Sequence, residues 1–358
     1  MASNNKRIGI LTFHRESNYG AFLQTFALFE MLKKMGCDVE IIDFRLPIIS
    51  QGFIRNIFRY FLIDRRVFAK ARTKFLKLTT ERYFNSNELV AKLPNFDLFI
   101  VGSDQVWNEE ITKEVRDTYF FDFLPDDVKR ISYAASFGTD NWIYNDLDSL
   151  RISKLLTKFS GISVREKSAV TYCANKLNMH AQLVLDPTLL LDDYSKITGE
   201  YTGKNDHLVF FKFVRDSNYY DFVLKMGEIY GGKSVLLKDA KSLKTTKTIY
   251  FPTIKEWLCS IKGAGFVVTD SFHGLCFSII FRKQFLVIPG CLDRFVRLHD
   301  LLSTLGLESR IFYSYDEVLS SNRWKEMIDY DLVYKKLNQE RITAIEFLQK
   351  HLQPNEED

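Results

Sequence analysis

The segment VVTDSFHGLCFSIIF, residues 267–281, sets an imidazole at a strand-to-helix junction. The apolar run ends at Thr269 and Asp270, Ser271 is a good N-cap, and His273 and Gly274 fall in the first helical turn. The helix N-terminus lowers the pKa of such a histidine and a bound phosphate dianion raises it, so the balance decides whether it donates a proton near neutral pH. Two arginines stand at similar junctions. Arg165 in SVREKSA (163–169) and Arg294 in LDRFVRLHDLL (292–302) are cations at helix starts, which favour anions. An anionic ligand explains them; for Arg165, Glu166 is the alternative, as a capping carboxylate. His299, further along its helix, reads as structural.

The other strand-end loops carry neutral groups. HRESNYGAFLQ offers His14, Asn18, Gly20 and Gln24, which suit sugar hydroxyls or, equally, a structural turn with Asn18 as the cap. VGSDQVWNEE (101–110) places Gly102, Ser103 and Asp104 at a strand end with Trp107 close behind. An aromatic beside a carboxylate suits a carbohydrate or nucleoside pocket, and Asp104 is either a proton acceptor or a turn cap. SYAASFGTD (132–140) ends in small residues, among them Ser136 and Gly138, that let a ligand approach the backbone.

The elements that must position these residues alternate. Strands are expected at 7–13, 38–44, 97–102, 130–135, 160–164 and 182–186, with helices at 21–35, 146–159 and 166–177. A second series runs from strand 207–214 through helix 217–230, strand 233–238, helix 253–261, strand 265–270, helix 272–282, strand 285–289 and helix 294–305. The fold class is α/β, two Rossmann-like domains facing across a cleft. The expected domains are 1–198, 199–330 and a helical tail at 331–358, with the break in the polar stretch SKITGEYTGKND. Residues 53–78 differ: between 51 and 80 there are eight Lys/Arg and one Asp, with Ile54, Ile57, Phe58, Phe61 and Leu62 on one apolar face. Three readings apply: a peripheral contact with an anionic membrane, a core-packing helix with a solvated basic back, and a contact with an anionic acceptor.

Composition removes several classes. With 46% hydrophobic and 26% charged residues in 358, the chain has enough apolar surface for folded domains. A net charge of +4 argues for no nucleic-acid partner. Five cysteines without a C-x-x-C pair suggest neither zinc nor a disulfide framework, and the first apolar run reads as a strand, so a cytoplasmic setting is expected. No P-loop, H-E-x-x-H, G-x-S-x-G or G-x-G-x-x-G motif occurs.

Taken in order, ILTFHRESNYGAFLQ, FDLFIVGSDQVWN, SYAASFG, SVREKSA, LVLDPTLLL, VVTDSFHGLCFSI and DRFVRLHDLLSTLGL resemble the polysaccharide pyruvyl transferase family. The resemblance implies a GT-B-like fold. It also implies transfer of pyruvate from phosphoenolpyruvate to a sugar of a surface-polysaccharide or lipid-linked precursor, as a cyclic ketal with phosphate release. No metal and no cofactor are expected, since arginines can neutralise the phosphate. By resemblance His273 is the general acid, and Arg165, Arg294, Ser271 and Gly274 hold the donor. Asn18, Tyr19, Gly20, Gln24, Ser103, Trp107 and Ser136 face the acceptor, and either Asp104 or Asp270 is the base. Many members carry R-x-H-G where this chain has Ser271-Phe272-His273-Gly274, so one donor cation is missing. The alternative function is a GT-B-type glycosyltransferase that uses a nucleotide sugar, with the Trp107 loop as its platform. A third is a non-catalytic scaffold at the membrane surface.

Overall fold

The computed structural model describes residues 6–45, 64–201, 203, 206–239, 241, 243, 245–290 and 295–353. The chain divides into two compact units, Met1–Leu191 with Gln339–Asp358, and Asp192–Asn338. The break falls a few residues before the expected 198/199. The reason is packing: Tyr194 lies edge-on to Phe277 at 4.8 Å, and Thr198 O accepts from Cys259 Sγ. The terminal helix Tyr330–Leu352 starts in the second unit and ends in the first, so 331–358 is not a separate tail.

The first unit holds a six-stranded sheet of order β2-β1-β3-β4-β5-β6, with β1 Arg7–Leu11, β2 Asp38–Ile41, β3 Leu98–Asp104, β4 Arg130–Ala135, β5 Ser163–Val164 and β6 Gln182–Leu183. All its pairings are parallel. Every residue of β3 and β4 is buried, as expected for parallel strands covered on both faces. The helix Tyr19–Lys34 is buried along most of its length; Asn18 caps its start, and Lys33 and Lys34 complement the dipole at its end. Gly36, at φ 86°, then turns the chain into β2, a conformation that disfavours any side chain. An aromatic core of Phe13, Tyr119, Phe120, Phe121 and Phe137 fills one side of this sheet.

The second unit holds a five-stranded parallel sheet of order β11-β10-β7-β8-β9, with β7 His207–Phe211, β8 Lys233–Leu237, β9 Thr246–Ile249, β10 Ala264–Thr269 and β11 Gln284–Val287. Leu208, Phe210, Phe222, Leu236, Val268 and Leu286 share its core. The strand β9 is not expected from the sequence. Its TKTI is an edge strand of intermediate and exposed residues, without the apolar run that marks a buried strand.

Residues 64–69 and Lys70–Phe75 of the basic segment are helical, with Val67 and Phe68 buried and the Phe68 ring 5.3 Å from Tyr19. That half packs into the core. The residues named for its apolar face, Ile54 to Leu62, lie outside the described residues, as does Arg294. Among the described residues no helix is long and apolar enough to cross a membrane.

Candidate active site

The carboxyl ends of the first sheet gather most of the residues expected to face an acceptor, and most are turned inward. Gln24 is fully buried; its Nε2 donates to Thr12 Oγ1 at 3.0 Å and Ala21 O at 2.9 Å, and its Oε1 accepts from Ser103 Oγ at 2.8 Å. Ser136 Oγ accepts from the Gly138 N–H at 3.0 Å. Trp107 has no exposed surface, stacks on Phe120 at 5.1 Å and donates Nε1–H to Tyr119 O at 3.0 Å. These contacts correct the expectation of a ligand platform: the indole face belongs to the core, and Gln24, Ser103 and Ser136 lace loops to strands. Tyr19 and Gly20 are buried as well. Asn18 is exposed, and its Oδ1 accepts from the Gly20 N–H at 2.9 Å, the capping alternative.

Arg165 and Asp104 do come together. The Arg165 side chain, 2% exposed, donates from one guanidinium nitrogen to Asp186 Oδ2 at 2.8 Å, and another lies 3.5 Å from Asp104 Oδ1. Asp186 Oδ1 also accepts from the Thr188 N–H and hydroxyl, at 3.0 and 2.7 Å. Burial works against the charge on Arg165, but Asp186, Asp104 and Glu166 raise its pKa above the ordinary value. Glu166 sits at the N-cap position without a side-chain cap bond; its Oε1 accepts from the Phe137 N–H at 3.0 Å. Arg165 is thus a cation set among carboxylates.

The second unit arranges its strand ends differently. His273 is half-buried in the first turn of the helix Phe272–Ile280, its ring 5.3 Å from Phe272. Ser271 Oγ accepts from the Gly274 N–H at 3.2 Å, so both expected donor ligands cap the helix. A Cβ on Gly274 would lie 2.5 Å from Thr269 Oγ1 and 3.2 Å from the Phe211 ring, so the missing side chain lets this turn sit down on β10 and β7. Asp270 is 8% exposed; its Oδ1 accepts from the Phe213 N–H at 2.7 Å, and its Oδ2 accepts from the Val214 N–H at 2.9 Å and from Lys212 Nζ at 3.4 Å. Those bonds make Asp270 the clamp on the loop after β7 and weaken the expectation that it acts as a base.

Three cations at these ends go beyond the residues singled out in the sequence. Lys212 Nζ donates to Ile288 O at 2.7 Å, and burial lowers its pKa while Asp270 partly restores it. Arg215 donates to Lys238 O at 2.9 Å and lies 3.2 Å from Asp239. Lys238, at φ 57°, holds Nζ 5.3 Å from the Phe213 ring, and burial and then Arg215 lower its pKa. The strand-end rule applied to the chain after β7 and β8 would have found them. No group of acidic, His and Cys residues that could hold a metal occurs among the described residues.

Solved structures similar to this chain share its two Rossmann-like units. UDP-GlcNAc 2-epimerase from Neisseria meningitidis, bound to UDP-GlcNAc, is 11% identical with a TM-score of 0.58, covering 96% of this chain and 100% of that one. The glycotransferase of kitacinnamycin is 10% identical with a TM-score of 0.56, covering 98% and 100%. UDP-N-acetylglucosamine 2-epimerase from Rickettsia bellii is 9% identical with a TM-score of 0.53, covering 97% of each. At these identities the likeness shows the GT-B-like fold alone. Comparison with curated proteins finds no match. A family model described as polysaccharide pyruvyl transferase matches residues 18–290, which run from the cap of the first long helix past His273 to the end of the second sheet. The chain therefore belongs to the polysaccharide pyruvyl transferase family.

Proposed function

We propose that the protein transfers pyruvate from phosphoenolpyruvate to a sugar of a surface-polysaccharide or lipid-linked precursor, with His273 as the general acid. The family match carries this reading, and His273 at the carboxyl end of β10 is the observation that gives it a mechanism. The donor presents a carboxylate and a phosphate, and both need fixed cations. Lys212, Arg215 and Lys238 lie just past β7 and β8 of the sheet that carries His273, and they are our candidates to replace the cation missing from Ser271.

Protonation of the methylene carbon by His273 makes the adjacent enol carbon electrophilic. One sugar hydroxyl adds there and its proton returns to the imidazole. A second hydroxyl of the same sugar displaces phosphate, closes the ketal and loses its proton with the leaving group. Arg165, paired with Asp186 and Asp104, is proposed to shape the first unit's strand ends, and Asn18 is the candidate there with an exposed polar group.

The test mixes purified protein, phosphoenolpyruvate and candidate acceptors and follows phosphate release with formation of the ketal methyl group. His273→Ala is expected to reduce acceptor-dependent release by about 100-fold or more, the usual contribution of a positioned acid. Full-rate release by that variant would remove His273 from the chemistry. Tight binding of nucleoside diphosphate without binding of phosphoenolpyruvate would favour the nucleotide-sugar alternative, whose platform, Trp107, is buried.

A further inference from the structure

The helix Asp146–Leu156, which follows β4 in the first unit, turns an apolar face to solvent. Its inner side packs: Ile152 and Leu156 are buried, and Ser153 Oγ donates to Leu177 O at 2.7 Å. On its outer side Leu147 is 81% exposed and Leu150 71%, and Ile143, just before the helix, is 42% exposed. Leu147 is the most exposed large apolar side chain among the described residues. A single surface leucine is ordinary. Two that neighbour each other on one helix face, three positions apart, with an exposed isoleucine at the helix start, form a patch that asks for a partner.

The charges around this patch are sorted by sign along the chain. Between 140 and 158 the acids Asp140, Asp146 and Asp148 come first and the cations Arg151, Lys154 and Lys158 follow, so the segment sums to zero. Several are used within the chain. Asp148 lies 2.9 Å from Arg116, and Arg151 pairs with Asp117. Lys158 holds Asp126 at 2.6 Å, and Lys154 adds a weaker pull on the same carboxylate. Asp127, next in the chain, lies near Arg130. Asp146 and Lys154 are exposed, and neither makes an ion pair among the described residues. They stand eight positions apart with Leu150 midway, along one i, i+4 ridge.

That ridge is complementary to itself. Two such helices set antiparallel about a two-fold axis through Leu150 bring Leu150 against its copy. Each Lys154 then lays its aliphatic stem over the other copy's Leu147 and sets its ammonium beside the other copy's Asp146. A parallel pairing would oppose like charges. An anionic membrane suits the leucines but not the carboxylates at the same end of the helix, and a segment of zero net charge gains little from lipid charge. We propose that the outer face of Asp146–Leu156 is an isologous contact between two copies of this chain, closed by Leu147 and Leu150 and given its direction by Asp146 and Lys154. The contact does not rest on the pyruvyl-transfer reading.

The experiment follows the full chain by sedimentation velocity at low ionic strength. A contact of one helix face is small and its dimer weak, so the concentration series extends to about 1 mM. A concentration-dependent dimer is expected for the wild type and for the control K34Q, at an exposed position of the first long helix. L147Q/L150Q changes exposed side chains only and should raise the dimer Kd about tenfold or more. D146K and K154D should each raise it about fivefold, and D146K/K154D, which exchanges the two charges, should return it to within about twofold of the wild type. D146K and the double variant both carry a cation at the helix start, so recovery between them reports the contact and not helix stability. A wild type that stays monomeric throughout, a dimer that L147Q/L150Q leaves intact, or no recovery in D146K/K154D overturns the contact. Vesicles of phosphatidylcholine and phosphatidylglycerol test the other occupant. Co-sedimentation by a monomeric wild type, lost in L147Q/L150Q, would give the face to lipid and overturn the dimer.

Discussion

The two sheets end in polar loops of similar composition, and the loops spend their polar groups in opposite ways. In the first unit Gln24, Ser103 and Thr12 satisfy one another, and Arg165 is set between Asp186 and Asp104. In the second, Asp270 clamps a loop, while Lys238 lies half-buried against an aromatic ring and has no carboxylate partner among the described residues. Burying a cation is tolerated when carboxylates surround it and costs stability when they do not. Arg165 therefore reads as a structural cation and Lys238 as one kept for a ligand, although both follow strands.

The largest effect should come from Arg165. Arg165→Met leaves Asp186 and Asp104 without their guanidinium, and removal of one partner from a buried pair costs about 3–5 kcal/mol. Urea unfolding is expected to show that loss, with part of it recovered in R165M/D186N, where cation and carboxylate leave together. A fully stable R165M that no longer binds phosphoenolpyruvate would reverse the contrast and return Arg165 to the donor site.

A second contrast is between two histidines. His273 is half-buried at a strand end, whereas His351 is 7% exposed, its ring tilted against that of Phe347 at 4.7 Å and pressed against Gly161. Burial, with Lys350 and Lys129, lowers the His351 pKa to about 4. The unfolded chain, with histidine near 6.5, then binds the extra proton first, so stability is present above that pH and is lost as pH falls toward 4. The loss approaches about 3 kcal/mol across the window. The urea midpoint of H351Q should fall less steeply between pH 6.5 and 4 than that of the wild type. Equal slopes would mean that His351 is not held neutral.

How far these differences could be read from the sequence depends on where each strand stops. The order of strands and helices follows from apolar runs and periodicity, because strands buried on both faces are written as runs such as LFIVG. Edge strand β9 carries no such run. His273 is visible because Thr269-Asp270-Ser271 breaks its run sharply. Lys212 and Lys238 are not, because strands expected at 207–214 and 233–238 run through them, whereas β7 stops at Phe211 and β8 at Leu237. Trp107 shows the other failure: a sequence states that an aromatic follows a strand, but only packing states which way it points, and here the indole stacks on Phe120 and meets Phe137 at a tilt.

Lys238 is the sharper test of the second unit. Lys238→Met removes a half-buried cation that has no carboxylate partner among the described residues, so unfolding stability should hold or rise slightly. If Lys238 supplies donor charge, the Kd for phosphoenolpyruvate should rise about tenfold, worth about 1.4 kcal/mol. An unchanged Kd would leave Lys212 and Arg215 as the remaining candidates there and would make Lys238 only a strained turn residue.

Asn18 gives the smallest expected effect and bears on the first unit alone. Its Oδ1 caps the helix Tyr19–Lys34 through the Gly20 N–H, so Asn18→Ala should lower stability by about 1 kcal/mol, while Asn18→Ser, which can still cap, should lose little. The cap and a sugar contact make opposite demands on the serine variant. A hydroxyl can accept the backbone N–H, but it cannot reproduce a carboxamide that accepts through oxygen and donates through nitrogen at the same time. Stability retained in N18S together with an unchanged acceptor KM makes Asn18 a cap, in line with the inward-turned polar groups around it. Stability retained with a KM raised tenfold would show one strand-end loop of the first unit reaching outward, and the division between the two sheets would then hold for Arg165 and Gln24 but not for the loop that starts the first long helix.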